Sequence, residues 1–293
     1  MPELPDITVY VEALEARIAR QTLVKLRIGS PFLLRTVEPG PADLQGKIIT
    51  GLRRIGKRIV LVFQGDLFVV IHLMIAGRFK WLPPNAKIPG KIGLAAFDFE
   101  HGTLLLTEAG SKRRASIHII RGEDALRVLD PGGLEPLEIP FETFREALTR
   151  ERHTLKRTLT DPHVFSGIGN SYSDEILHRA RLSPVQMTTN LDDDELHRLY
   201  DAVRVVLIEW TDRLRADAGE RFPEKVTAFR PEMAVHGRYN LPCPVCGTPV
   251  QRIVYAENET NYCARCQTGG KLLADRALSR LLHGDWPKSI DEL

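Results

Sequence analysis

Cysteine is scarce in this chain: there are four among 293 residues, and all lie between Cys243 and Cys266. That scarcity argues against a disulfide framework, and a chain of this length does not need staples to hold a core. Charge imbalance is lacking too, with 40 Lys and Arg against 38 Asp and Glu, a net charge of +2. Any affinity for nucleic acid must then rest on local clusters rather than bulk charge. No apolar run is long enough to span a bilayer, which excludes a helical membrane protein. Internal repeats and low-complexity stretches are absent, so solenoid architectures fall away. No signal-peptide pattern opens the chain, and the expected location is cytoplasmic, with the nucleoid as the site if bacterial.

The four cysteines that are present are informative by their spacing. Cys243-Pro-Val-Cys246 and Cys263-Ala-Arg-Cys266 are separated by 16 residues, the two-knuckle spacing of a four-thiolate zinc site. Gly247 follows the second cysteine, where a knuckle turn needs permissive backbone. Pro249 to Tyr255 and Asn258 to Tyr262 read as a β-hairpin between the pairs. A closed set of four sulfurs predicts one structural Zn²⁺, and no organic cofactor is expected.

The start of the chain, Met1-Pro2-Glu3-Leu4-Pro5-Asp6, carries a second chemistry. Removal of Met1 would expose a secondary amine followed directly by a carboxylate. An α-amine has a pKa of about 7.7–8.0, so much of it is neutral and nucleophilic near neutrality. Secondary amines condense with aldehydic carbons to iminium ions, which withdraw electrons and favour elimination. The pattern reads as covalent amine catalysis with an acid/base partner alongside. On these residues alone, an ordinary start with a small second residue stays open.

Along the chain, Ile7, Val11, Leu14 and Ile18 predict a helix from Ile7 to about Ile18, capped by Asp6. Strand patterns follow at Leu23 to Ile28, Gly46 to Ile55, Arg58 to Phe63, Leu67 to Leu73, Gly93 to Phe99, Thr103 to Thr107 and Ser116 to Ile120. These predict an antiparallel β-sandwich with a helix. Asp130 to Pro140 reads as a linker, and Phe141 to about Asp217 is helical in pattern. The fold class is α+β and multidomain. The expected boundaries are 1–128 for the sandwich, 129–232 for a helical domain, 233–270 for the finger and 271–293 for a helical extension bearing Leu273, Leu278, Leu281 and Leu282.

Three basic clusters stand out: Arg53-Arg54 with Lys57-Arg58, Lys112-Arg113-Arg114, and Lys156-Arg157. The helical half also holds Phe165-Ser-Gly-Ile-Gly-Asn170-Ser-Tyr-Ser-Asp-Glu175. Two glycines allow a tight turn, Asn170 suits a helix cap, and the positive end of the helix it opens favours a phosphate.

Together these features resemble the formamidopyrimidine-DNA glycosylase and endonuclease VIII family of base-excision repair enzymes. The resemblance covers nearly the whole chain. It rests on the Pro-Glu-Leu-Pro start, Lys57 in Gly-Lys-Arg, His72-Leu73 with Gly77, Leu134-Glu-Pro-Leu137, Gly167-Ile-Gly-Asn170, Tyr172, Glu175, Gly237-Arg238 and the four cysteines. It implies a helix–two-turn–helix motif in the helical domain and a zinc-ribbon-type finger. It implies a bifunctional DNA glycosylase/AP lyase acting as a monomer on damaged DNA, with the damaged nucleotide flipped out of the stack. Pro2 would attack C1′, Glu3 would shuttle protons, and Lys57 would contact a phosphate or the oxidised base. Lys156 and Asn170 would grip the backbone, with Arg238 reaching it and Glu175 supporting. Ile75, beside Met74, and Arg113 or Arg114 would face the gap left by the flipped base.

This chain departs from the family pattern in several places. Asp6 stands where much of the family has Glu. No aromatic wedge follows Arg113-Arg114-Ala115, and Asn258 takes the place of a finger arginine near Glu257 and Glu259. Duplex and opened or single-stranded DNA both stay open as substrates, because wedge insertion is what offsets unstacking. An abasic-site lyase and a non-catalytic damage-binding protein of the same fold also stay open. The preferred lesion is not legible, and the loop expected to choose it is Ala216 to Phe229.

Overall fold

The structure is a computed structural model that describes residues 1–110, 112–224, 226, 230–255, 258–274 and 287–292. Its contacts divide the chain into two compact units, Met1–Pro131 with Trp210–Thr227, and Gly132–Glu209 with Ala228–Leu293.

The first unit opens with α1, Leu4–Ile18. It starts three residues before the predicted Ile7. Pro5 sits in the first turn, where a missing amide costs nothing, and the Glu3 N–H donates to Asp6 Oδ2 at 2.9 Å from within the helix. Ile7, Tyr10, Leu14 and Ile18 are buried along one face.

Eight strands follow: β1 Lys25–Ile28, β2 Ile49–Ile55, β3 Arg58–Phe63, β4 Leu67–His72, β5 Gly77–Leu82, β6 Gly93–Phe99, β7 Gly102–Glu108 and β8 Ser116–Arg121. They form two four-stranded antiparallel sheets, ordered β1-β6-β7-β5 and β2-β3-β4-β8. Ile59, Leu61, Phe63, Val69 and Ile71 of one sheet share a core with Phe79, Phe97, Leu104 and Leu106 of the other. Alternate residues Val60, Phe68 and Val70 point the opposite way and are covered by Leu126 of α2, Glu123–Val128. Coverage on both faces explains why β3 and β4 read as continuous apolar runs. The sequence pattern did not reveal β5 or α2. In β5 the run Gly-Arg-Phe-Lys-Trp-Leu buries Phe79 while Arg78 and Lys80 are only half-buried, so its charged members mask the strand.

Strand register gathers several segments at one end of the sandwich. The turn bearing Lys57 joins β2 to β3, with Ile55 opposite Arg58. Arg58 pairs with His72, which in turn pairs with Ser116. Residues 73–76 then lead from β4 to β5, and residues 109–115 lead from β7 to β8. Gly77 pairs with Glu108, so these two loops start and finish beside each other. Gly77 donates to the Leu73 carbonyl at 2.9 Å, and a Cβ there would lie 2.3 Å from that oxygen, so only glycine closes this loop.

The second unit contains α3 Phe141–Thr149, α4 Leu155–Thr160 and α5 Asn170–Ala180. It also holds the first part of α6, Asp193–Ala218, whose last part belongs to the first unit. Phe144 stacks on Phe165 at 5.0 Å, and Tyr200 lies against Phe144. Leu196, Leu199, Val203, Val206 and Leu207 form the buried stripe of α6. The finger comprises the hairpin β9 Gln251–Tyr255 and β10 Asn258–Tyr262, then α7 Ala264–Thr268. Of the expected C-terminal helix, Leu272 and Leu273 are described and are not helical, while Leu278, Leu281 and Leu282 lie outside the described residues. No helix among the described residues is long and apolar enough to cross a membrane.

Candidate active site and metal centre

The chain start is buried, with Pro2 enclosed and Glu3 and Asp6 almost inaccessible. Burial pushes the Met1 amine below the usual α-amine range. Glu3 and Asp6 pull it up, while Arg78 and Lys57 push it down, so all four side chains face this end of the chain electrostatically. Lys57 therefore stands within electrostatic reach of the chain start. Arg78 joins it, which the sequence pattern did not reveal because β5 was not legible as a strand.

His72 sits in the same neighbourhood. Burial, then Arg58, Lys57 and His118, push its imidazole down to about 4. His118 is lowered by burial and by Arg58 and Arg35. Both rings are thus held neutral among cations, an environment that suits an anion.

At the same end of the sandwich, Ile75 is 61% exposed at the tip of its loop, and Met74 beside it takes a positive φ of 52°. Arg113 and Arg114 are exposed on the neighbouring loop. Glu108 ties that loop down by accepting from the Arg114 N–H at 3.0 Å and the Ala115 N–H at 3.1 Å. The Arg113 guanidinium donates to the Lys91 carbonyl. Part of the Ala216 to Phe229 loop is described. Phe222 lies against Tyr10 with centroids 5.9 Å apart, and Val226 joins the sandwich core.

In the second unit the glycine turn leads into α5. Gly167 has a φ of 80°, and the helix cap is Gly169, one residue before the predicted Asn170. Asn170 is instead the first helical residue, and its Nδ2 donates to the Glu259 carbonyl of β10 at 2.9 Å. Lys156 Nζ donates to the Asn170 carbonyl at 2.6 Å and to Asp174 Oδ1 at 2.5 Å. The other Asp174 oxygen lies 2.7 Å from His236 Nδ1. Glu175 accepts from three consecutive amides, Ala234, Val235 and His236, at 2.7, 2.9 and 3.0 Å. Burial pushes its carboxyl up, and the three donors pull it back toward the ionised form. Arg238 donates to the carbonyls of Pro231 and Pro242 at 2.8 and 3.4 Å. Asp174 and His236 were not singled out from the sequence. Asp174 lies within the glycine-turn motif itself, and His236 in the turn it bonds.

The four sulfurs of Cys243, Cys246, Cys263 and Cys266 lie within 4.8 Å of one another. Cys246 and Cys263 are 3.4 Å apart, and Cys243 and Cys266 are 3.9 Å apart. Four Zn–S bonds of about 2.3 Å in a tetrahedron require S–S separations of about 3.8 Å, so the set fits Zn²⁺. Gly247, with a φ of 75°, closes the first knuckle, and its N–H donates to the Cys243 carbonyl at 2.9 Å. Gln267 braces the second, accepting from the Cys263 N–H at 2.8 Å.

An antiparallel sandwich bearing a buried chain start, a glycine turn opening a helix, and a four-thiolate hairpin finger define the class. Residues 1–115 match the formamidopyrimidine-DNA glycosylase N-terminal domain, 133–213 the H2TH domain of the same enzymes, and 240–269 the zinc finger found in FPG and IleRS. A formamidopyrimidine-DNA glycosylase of Heliobacterium modesticaldum is 34% identical over 282 residues, covering 91% of this chain and 100% of the relative. One from Thermus thermophilus is 33% identical, covering 92% and 100%. Among solved structures, the Lactococcus lactis Fpg complex with abasic-site DNA superposes with a TM-score of 0.80 at 25% identity, covering 91% of this chain and 99% of that one. The same enzyme with DNA containing an oxidized pyrimidine gives 0.80 at 26%, covering 91% and 100%. The chain belongs to the formamidopyrimidine-DNA glycosylase family. Its finger carries a structural zinc site.

Proposed function

We propose that the protein excises oxidised bases from DNA and cuts the strand at the resulting abasic site, using the Pro2 amine after loss of Met1. The observation that carries this reading is the burial of the chain start among Glu3, Asp6, Arg78 and Lys57. Pro2 itself is enclosed, and burial disfavours a protonated amine, which favours the nucleophilic form once Met1 is lost. Pro2 nitrogen bonds to C1′, the damaged base departs with the C1′–N bond electrons, and the proton lost from the Pro2 nitrogen passes to that base. Glu3 donates a proton to the ring oxygen as the sugar opens, leaving an iminium between Pro2 and C1′. Glu3 as carboxylate then takes a C2′ proton, and β-elimination expels the 3′ phosphate. δ-Elimination expels the 5′ phosphate, and water releases the amine.

Lys57 sits where a phosphate or oxidised base would meet the amine. Ile75, with Arg113 or Arg114, fills the space the flipped nucleotide leaves. On the second unit, Lys156 and Asn170 grip backbone phosphates at the start of α5, and Glu175 supports them by fixing residues 234–236. Arg238 adds a backbone contact. The enzyme acts as a monomer in the cytoplasm, at the nucleoid in a bacterium.

The test is borohydride trapping on oligonucleotides bearing an abasic site, 8-oxoguanine or an oxidised pyrimidine, with intact mass used to verify loss of Met1. The expected result is a covalent adduct on a damaged-base substrate that Pro2→Gly loses or sharply reduces. Trapping on the abasic site alone would restrict the protein to lyase action. No adduct from protein lacking Met1 would overturn the reading in favour of a non-catalytic binder.

A further inference from the structure

His178 lies at the far end of the helix whose start bears Asn170, and the proposed mechanism gives it no role. It is buried, and its Nε2 is 3.3 Å from the Sγ of Cys243, itself buried. Val235 and Val250 pack around Cys243 and Cys263, so this side of the centre is apolar. Four thiolates around one Zn²⁺ leave two negative charges, and an apolar wall does nothing to stabilise them. A thiolate can only accept a hydrogen bond, so the contact requires the proton on Nε2.

We infer that His178 is an outer-sphere positioning residue of the zinc centre, donating Nε2–H to the Cys243 thiolate and so slowing loss of the metal. The donor draws negative charge from the sulfur. Protonation of that sulfur, one route to its release from zinc, then becomes harder. The same contact completes a polar face of α5. Asn170 reaches Glu259, Asp174 reaches His236, Glu175 holds three amides and His178 holds a zinc ligand. One rigid helix thus ties the metal to the glycine turn.

Two measurements on the full chain test the inference. The first is the rate at which the zinc-loaded protein gives up its metal to excess chelator, read with a chromogenic zinc dye. His178→Phe keeps the ring's bulk without the donor and is expected to release zinc about 10- to 100-fold faster. His178→Gln, which retains an N–H, is expected to recover part of the loss. Arg179→Ala, at an exposed neighbour paired with Glu209, is expected to match the wild type. Equal release rates for wild type and folded His178→Phe would overturn the inference. The second measurement uses the wild type with ¹¹³Cd in the site. A ¹H–¹¹³Cd correlation peak to the His178 Hε2 is expected, because scalar coupling passes through N–H···S–Cd. Its absence when couplings to the cysteine Hβ protons are seen would overturn the inference even if the variants fail to fold.

Discussion

The end of the sandwich and the polar face of α5 handle charge in opposite ways. At the sandwich end, Lys57, Arg58, Arg78 and Arg35 crowd around a buried amine and two histidines, and the rings stay neutral. On α5 each charge has a partner: Lys156 with Asp174, Asp174 with His236, and Glu175 with three amides. The first arrangement gathers cations around an enclosed amine. The second pairs its charges within the fold.

That contrast can be broken experimentally. The largest expected effect is at Glu3. Glu3→Gln removes the proton shuttle and is expected to lower base excision by about 10²- to 10⁴-fold, measured by single-turnover cleavage of a damaged oligonucleotide. Next is Glu175→Ala, which strands three amides and is expected to cost about 3 kcal/mol in denaturant unfolding, with amide exchange rising at residues 234–236. Asn170→Ala is expected to weaken binding about tenfold, equally for all sequences, in fluorescence anisotropy titrations.

A smaller effect is expected at Ile75. Because that side chain is largely exposed, Ile75→Ala is expected to change stability by no more than about 0.5 kcal/mol. Excision from duplex is expected to fall further than excision from single strand. Equal falls would remove Ile75 from the gap-filling role.

A further expected effect is a slope with pH. His72 is depressed from 6.5 to about 4 in the folded protein. Between those values the unfolded chain binds the proton more readily, so stability falls as pH drops from about 6.5 toward 4. His72→Gln is expected to lose less thermal stability than the wild type between pH 7 and pH 5. An identical loss would mean that burial and the cations around His72 do not hold it neutral.

Legibility in the sequence followed the same divide. The cysteine cluster, the glycine turn and the enclosed start of the chain were readable because each is a short contiguous motif. Strands β3 and β4 were readable because both their faces are covered. Arg78 was not, because its strand alternates charge with aromatics and its place beside the amine depends on β5 pairing with β7. Asp174, His236 and His178 were hidden for another reason. A buried polar residue on a helix or in a turn looks like any surface residue until the segment that covers it is known. The helix start was misplaced by three residues because Asp6 acts from inside the first turn rather than ahead of it.

The first unit is not continuous in the chain. Arg215 forks onto Glu12 of α1, Arg17 lies over the Phe222 ring, and Val226 enters the sandwich core. A ribosome that has made the eight strands has therefore not yet supplied everything their core requires. About a hundred further residues must emerge before Phe222 and Val226 arrive. The order of synthesis and the order of completion differ, and the nascent sandwich must wait, partly uncovered, for its last pieces while the second unit begins to form.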